Sequence, residues 1–257
     1  MKAIILAAGF GSRLRPYTDN IPKGMVRLNG MSLLELQVKT LKHCGLHNIV
    51  IVGGFEAKKL EIFGLPVIVN PEFATTNMVH SLFCAQQHFS EEMIVSYGDI
   101  VYHPGILKLL MESKSEITVA IDDNWRDYWL ERFKEPLLDL ESLKVNEKGF
   151  LSEIGQKVKT LDEIEGQYIG LMKFRKNGSQ QLASAYNSAN AKGLLGGVNP
   201  SNAYMTDLLQ NLILSGHQLV PLRTDLPWVE VDTTNDLHSS VTSERMKIIQ
   251  QALKYQN

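Results

Sequence analysis

The residues of this 257-residue chain best suited to chemistry begin at Gly9-Phe10-Gly11-Ser12-Arg13-Leu14 and run on through Arg15, Pro16, Thr18 and Pro22 to Lys23. Glycines let backbone N–H groups come close to a phosphate, and Arg13, Arg15 and Lys23 supply local positive charge. The stretch meets the first two positions of a dinucleotide fingerprint, but Leu14 stands where the third glycine belongs. A P-loop needs GxxxxGK followed by Ser or Thr, and the chain contains none. What remains is a loop of neither standard type that suits a polyphosphate. Two carboxylates stand at strand ends elsewhere, Asp99 closing MIVSYGD and Asp232 closing WVEVD. Taken alone, an Asp in such a place is more often a turn or helix-cap residue than a ligand.

The elements that must position these groups follow from periodicity. Lys2 to Ala8 is a continuous apolar run ending at a glycine turn, the pattern of a strand buried on both faces. Leu34, Val38 and Leu41 recur at helical spacing within Ser32 to Cys44, with Gly45 as the stop. Strands are expected at Ile49 to Val52, Val67 to Val69, Met93 to Tyr97 and Ile117 to Ile121. Helices are expected from a cap at Asn77 to about Gln87 and over Ile106 to Met111. This alternation predicts an α/β fold, a mostly parallel central sheet flanked by helices that binds ligands beyond the carboxyl ends of its strands. From Asp122 to Gly166 the rhythm breaks into an aromatic and acidic stretch and a hairpin, Leu143 to Ile154, turning at Asn146 to Gly149. We read residues 122–166 as a substrate-side insertion in a single domain spanning 1–257. Gln167 to Phe174, Gln218 to Leu222 and Trp228 to Val231 are further strands, the tail from Asn235 is helical, and no internal repeat is present.

Composition narrows the class. Hydrophobic residues at 44% and charged residues at 21% exclude disordered and collagen-like chains. Lys plus Arg number 26 against 28 Asp plus Glu, so a net charge of −2 provides no field for nucleic acid or anionic lipid, and any anion must be met locally. Two cysteines suit neither a disulfide framework nor a zinc site, which makes a reducing cytoplasm the expected location. No apolar run approaches a membrane span, and the run Ala3 to Phe10 is broken too early for a signal peptide. His43 and His47 are four apart, but Gly45 between them at a helix end argues against a metal pair.

The segment LAAGFGSRLRPYTDNIPKGM, residues 6–25, resembles the signature of sugar-phosphate nucleotidyltransferases, LAAGxGxRLxPxTxxxPK. The resemblance implies a Rossmann-like nucleotidyltransferase fold in which the backbone at Ala7, Ala8, Gly9 and Gly11 holds a nucleoside triphosphate. Arg13 would then neutralise its phosphates and Lys23 would stabilise the α-phosphate. It further implies that Asp99, in the YGD pattern with Gly98, and Asp232, followed by Asp236 and Leu237, bind Mg²⁺. Nucleotidyl transfer crowds at least four negative charges into one place, and Mg²⁺ typically binds through one or two carboxylates plus substrate phosphates. No general base is required, because a phosphomonoester with a second pKa near 6 is already largely dianionic at pH 7.

Residues 122–145 (DDNWRDYWLERFKEPLLDLESLKV) and 162–174 (DEIEGQYIGLMKF) are similar to a narrower branch, the cytidylyltransferases acting on phosphocholine and related acceptors. This implies CTP and a small phosphomonoester as substrates, phosphocholine first, with phosphoglutamine or a hexose 1-phosphate as alternatives and a role in cell-surface polysaccharide synthesis. Asn77 and Ser81 would read the pyrimidine. Lys157 after the hairpin would bind the acceptor phosphate, with Lys159 as competitor. A quaternary ammonium is held by aromatic faces beside carboxylates, which Asp122, Trp125, Trp129, Glu165, Tyr168 and Glu230 could provide. The alternative for the tryptophans is packing of the insertion onto the sheet. A monomer or homodimer is expected, and a non-catalytic nucleotide-binding homologue is the competing class.

Overall fold

A computed structural model describes residues 1–254. Strand β1 (Lys2–Ala7) passes through the glycine-rich loop into a short ribbon, β2 (Arg27–Leu28) and β3 (Met31–Ser32), and then α1 (Leu33–His43). There follow β4 (Ile49–Gly53), β5 (Val67–Val69), α2 (Met78–Cys84), β6 (Glu92–Tyr97), β7 (Ile100–Tyr102), α3 (Pro104–Glu112) and β8 (Ile117–Asp122). The insertion contributes α4 (Trp125–Arg132) and the antiparallel pair β9 (Glu141–Val145) and β10 (Leu151–Lys157). The remainder is β11 (Gln167–Arg175), α5 (Asn177–Lys192), α6 (Met205–Leu214), β12 (Leu219–Thr224), β13 (Trp228–Glu230), α7 (Thr234–His238) and α8 (Ser240–Ala252).

Seven strands form the central sheet in the order β12-β8-β11-β6-β1-β4-β5. Every neighbouring pair is parallel except those of β11, which runs antiparallel to both β6 and β8. The two-sided burial read from β1 is real and alternates by residue. Ile4 and Leu6 pack with Val79, Leu82, Leu182 and Leu208 on one face, and Ala3 and Ile5 with Leu34, Leu41, Ile106 and Leu110 on the other. Helix α1 starts where Ser32 and Glu35 form a reciprocal capping box, which satisfies two otherwise orphaned N–H groups.

Three expectations shift. The helix after Asn77 ends at Cys84 and continues only as a 3₁₀ turn, Gln86–His88. The hairpin is longer than Leu143 to Ile154, because β9 begins at Glu141 and β10 extends to Lys157. Trp228 to Glu230 stays outside the central sheet and pairs instead with β7. None of the described helices is long and apolar enough to cross a membrane.

Candidate active site

The glycine-rich loop turns on Gly11, whose φ of 65° lies in the left-handed region; a Cβ there would come within 2.9 Å of the Lys23 side chain. Thr18 Oγ1 donates to the Gly11 carbonyl at 2.7 Å and folds the loop back on itself. Lys23 is thereby aimed at the carboxyl edge of the sheet. Asp99 reaches that edge from β6 through Gly98, which lies so close to β1 that an added Cβ would sit 2.7 Å from the Leu6 carbonyl. Asp232 arrives from β13, and the Val231 N–H donates to the Asp99 carbonyl at 3.1 Å. The pairing of β13 with β7 therefore makes neighbours of two carboxylates that lie far apart in sequence.

Lys23 Nζ sits between them, donating to Asp99 Oδ2 at 2.6 Å and also to Asp232 Oδ1. Arg13 approaches the same Asp232 oxygen at 3.3 Å while staying largely exposed. Burial opposes the Lys23 charge, but Asp99 and Asp232 outweigh it and hold the ammonium well above the ordinary lysine range. Burial likewise opposes the Asp232 charge, yet Lys23, Arg13 and Arg132 keep it below the usual carboxylate range. Glu230, two residues before Asp232, behaves oppositely: burial and the neighbouring Asp232 charge push it up to about 8, with Arg132 opposing.

The residues present fit a hard divalent cation. Asp99 Oδ1 is buried with no hydrogen-bond partner, and one carboxylate oxygen from each of Asp99, Glu230 and Asp232 lies within 4.8 Å of the others. An all-oxygen donor set of this kind suits Mg²⁺. Asp236 steadies the segment by accepting from the backbone of Asp232 at 3.0 Å and of Thr233 at 2.8 Å.

Two hollows meet at this centre. The first is lined by Ala7, Ala8, Gly9, Asn77, Ser81, Gly98, Lys23 and Asp99, and by Phe73, Thr76, Met78 and Tyr97, which sequence reading did not single out. Gly11 shapes its loop without lining it. Asn77 doubles as the cap of α2, its Oδ1 accepting from Met78 N at 2.9 Å, while buried Asn70 donates to Ser81 Oγ at 3.0 Å. The second hollow shares Met78 and Tyr97 with the first. It is further lined by Trp129, Asp139, Glu141, Gln167, Tyr168, Tyr204, Thr206, Glu230 and Asp232.

Of the residues expected on the acceptor side, Trp129, Tyr168 and Glu230 line the second hollow, and four do not. Asp122 is buried as a pin, accepting from Trp228 Nε1 at 2.8 Å and from Asn124 N at 2.8 Å. Trp125 is 4% exposed and packs in the core. Glu165 accepts from Val145 N at 3.0 Å within the insertion. Lys157 is exposed at the end of β10, where strand pairing sets it opposite Glu141. Glu141 itself was missed, being one acid among many in its stretch; burial raises its pKa, against a hydrogen bond with Thr206.

The MobA-like NTP transferase domain matches residues 3–195. The chain is 35% identical over 252 residues to the CTP:phosphoglutamine cytidylyltransferase of Campylobacter jejuni subsp. jejuni serotype O:2, covering 94% of this chain and 99% of that one. It is 34% identical over 106 residues to the choline-phosphate cytidylyltransferase of Streptococcus pneumoniae, covering 40% of this chain and 46% of that protein. In fold it resembles the inositol-1-phosphate CTP transferase from T. maritima, with a TM-score of 0.74 at 22% identity over 97% of this chain and 96% of the other. It also resembles the CTP:phosphocholine cytidylyltransferase from Streptococcus pneumoniae, with a TM-score of 0.70 at 19% identity over 98% of each chain. The family match covers most of the sequence and the phosphoglutamine relative is matched nearly end to end, so the chain belongs to the MobA-like NTP transferase family of nucleotidyltransferases.

Proposed function

We propose that the protein transfers CMP from CTP to a phosphoryl oxygen of a small acceptor carrying an ammonium head, releasing pyrophosphate. The observation that carries this reading is the pair of hollows sharing Met78 and Tyr97 and meeting at Lys23, Asp99 and Asp232. In this reading a nucleotide in the first hollow directs its α-phosphate to that junction and an acceptor in the second brings its phosphoryl group there, as in-line displacement requires. The acceptor oxygen bonds to the α-phosphorus as the bond to the bridging oxygen breaks, and pyrophosphate leaves with the electron pair. The acceptor phosphoryl needs no proton removed near neutral pH.

Within this reading, Ala7, Ala8, Gly9 and Gly11 form the phosphate loop, Asn77 and Ser81 face the base, and Arg13 and Lys23 neutralise the developing charge. Asp99 and Asp232, with Glu230 alongside, would hold Mg²⁺, which when bound supplies charge neutralisation for the triphosphate. Lys157, paired with Glu141 across the hairpin but outside the lining, would meet the acceptor phosphate in this reading, since that lining has no lysine or arginine among the described residues.

Phosphoglutamine takes first place as acceptor, because similarity to its enzyme runs along 94% of the chain. Phosphocholine is the second reading, and one observation favours it: Asp139, Glu141, Glu230 and Asp232 line the hollow, with no lysine or arginine among its described residues to hold an amino-acid carboxylate. Pyrophosphate release with CTP, UTP, ATP and GTP against phosphoglutamine, phosphocholine and glucose 1-phosphate tests both. We expect CTP with one of the ammonium acceptors; turnover with glucose 1-phosphate alone would overturn the proposal.

A further inference from the structure

Helix α4 of the insertion ends in Arg132, whose side chain is fully buried although it carries a permanent charge. Burying a guanidinium is costly unless its arms find partners. Nε donates to Asp236 Oδ1 at 2.9 Å and Nη1 to Glu230 Oε2 at 2.9 Å. The guanidinium carbon also lies over the rings of Tyr128 at 5.0 Å, Trp129 at 5.2 Å and Phe133 at 4.9 Å. Of the three aromatic residues that the sequence offered to a ligand's ammonium, Trp129 thus packs, with Tyr128 and Phe133, against a cation of the protein itself.

The placement of its two partners gives the arrangement a purpose. Glu230 lies two residues before Asp232, and Asp236 lies four after it, with its other oxygen gripping the Asp232 backbone N–H. Arg132 therefore holds the 230–236 segment on both sides of the carboxylate that meets Lys23. A guanidinium can span two carboxylates with separate arms at fixed angles, which a lysine ammonium cannot reproduce. We propose that Arg132 is a positioning residue for nucleotidyl transfer, the insertion acting through it to fix Asp232 against Lys23. This inference rests on the assignment of Lys23, Asp99 and Asp232 given above.

The test uses the full chain with Arg132→Met, Arg132→Lys, Asp236→Asn and the double variant Arg132→Met with Asp236→Asn. Removing outer partners of ligating groups typically costs 10- to 100-fold, so kcat per folded enzyme is expected to fall by about that factor, with KM for CTP and acceptor within about 3-fold of wild type. Arg132→Lys should recover melting temperature more than kcat, and the double variant should lose no more than the worse single. A readout without turnover is the ¹⁵N resonance of the Lys23 ammonium, identified by its loss in Lys23→Arg, which should broaden in Arg132→Met and Arg132→Lys. Wild-type kcat in Arg132→Lys, or a loss in any variant matched by its unfolded fraction, would overturn the inference. If wild type transfers CMP to no acceptor, the functional reading falls, while an unchanged Lys23 resonance in Arg132→Lys separately refutes the positioning role.

Discussion

The two hollows that meet at Lys23 are built in opposite ways. The nucleotide side combines backbone and small residues at the ends of β1 and β6, held by parallel strand pairing and close approach at Gly98, with Lys23 and a wall from residues 73–81 at the start of α2. The acceptor side is made of large side chains from α4, β9, β11, β13 and the start of α6, most of them on or next to the insertion. A shape made by backbone tolerates little change and serves one invariant ligand group. A shape made by side chains can be re-lined without disturbing the sheet, which is how one fold takes different acceptors.

Variants can break that contrast, taken from the largest expected effect. Asp99→Asn and Asp232→Asn strike the junction and should each lower kcat by about 10²-fold or more with the fold intact, read by initial rates of pyrophosphate release. Near-normal rates in both at limiting Mg²⁺ would remove the junction from catalysis. Trp125→Leu tests whether the insertion's tryptophans are packing: a cost of about 2 to 4 kcal/mol in a thermal melt is expected, without an acceptor-selective change in KM. Glu141→Gln keeps shape and removes charge, so the acceptor KM should rise about 10-fold, or about 1.4 kcal/mol, while the CTP KM holds. An equal rise in both would mean that the hollows are not separable. Lys157→Ala is expected to raise the acceptor KM by about 3- to 5-fold with kcat unchanged, and Lys159→Ala to change neither; the reverse pattern would exchange the two lysines.

What could be read from sequence follows the same division. Residues 7 to 23 are contiguous, and glycines, a proline-bearing loop and fixed cations at such spacing suit a polyphosphate, so the loop that carries the family resemblance is legible, whereas Phe73, Thr76, Met78 and Tyr97 of the same hollow are not. Asp99 and Asp232 close strand-like runs, which alone suggests a turn or cap, and they stand out only beside the family resemblance. Glu141 and Asp139 are not, since one acid among the seven in residues 122–145 carries no mark of its burial. Helix α5 also escapes a reading by periodicity, because its asparagines, serines and glycine blur the apolar stripe that Leu182, Tyr186 and Ala189 bury. Tyr97 can be placed in a strand, but its position between two hollows depends on Gly170, whose φ of 78° and lack of a side chain admit its ring. Of the rings around Arg132, only Trp129 is legible as an aromatic face for a cation, and the fold alone shows that the cation beside it is Arg132.

The contacts of Lys23 also bear on the order in which the molecule becomes competent during synthesis. Its partners lie 76 and 209 residues further along the chain. The family match ends at residue 195, so a nascent polypeptide can have made all of that region and still lack Asp232. Until the ribosome has delivered β13, Lys23 has Asp99 alone, and β7 has no strand to pair with across the site. Loop closure over such a distance is slow compared with helix and hairpin formation, which places assembly of the centre among the last events of folding. Premature termination between residues 195 and 232 should therefore yield a chain with its phosphate loop and no turnover.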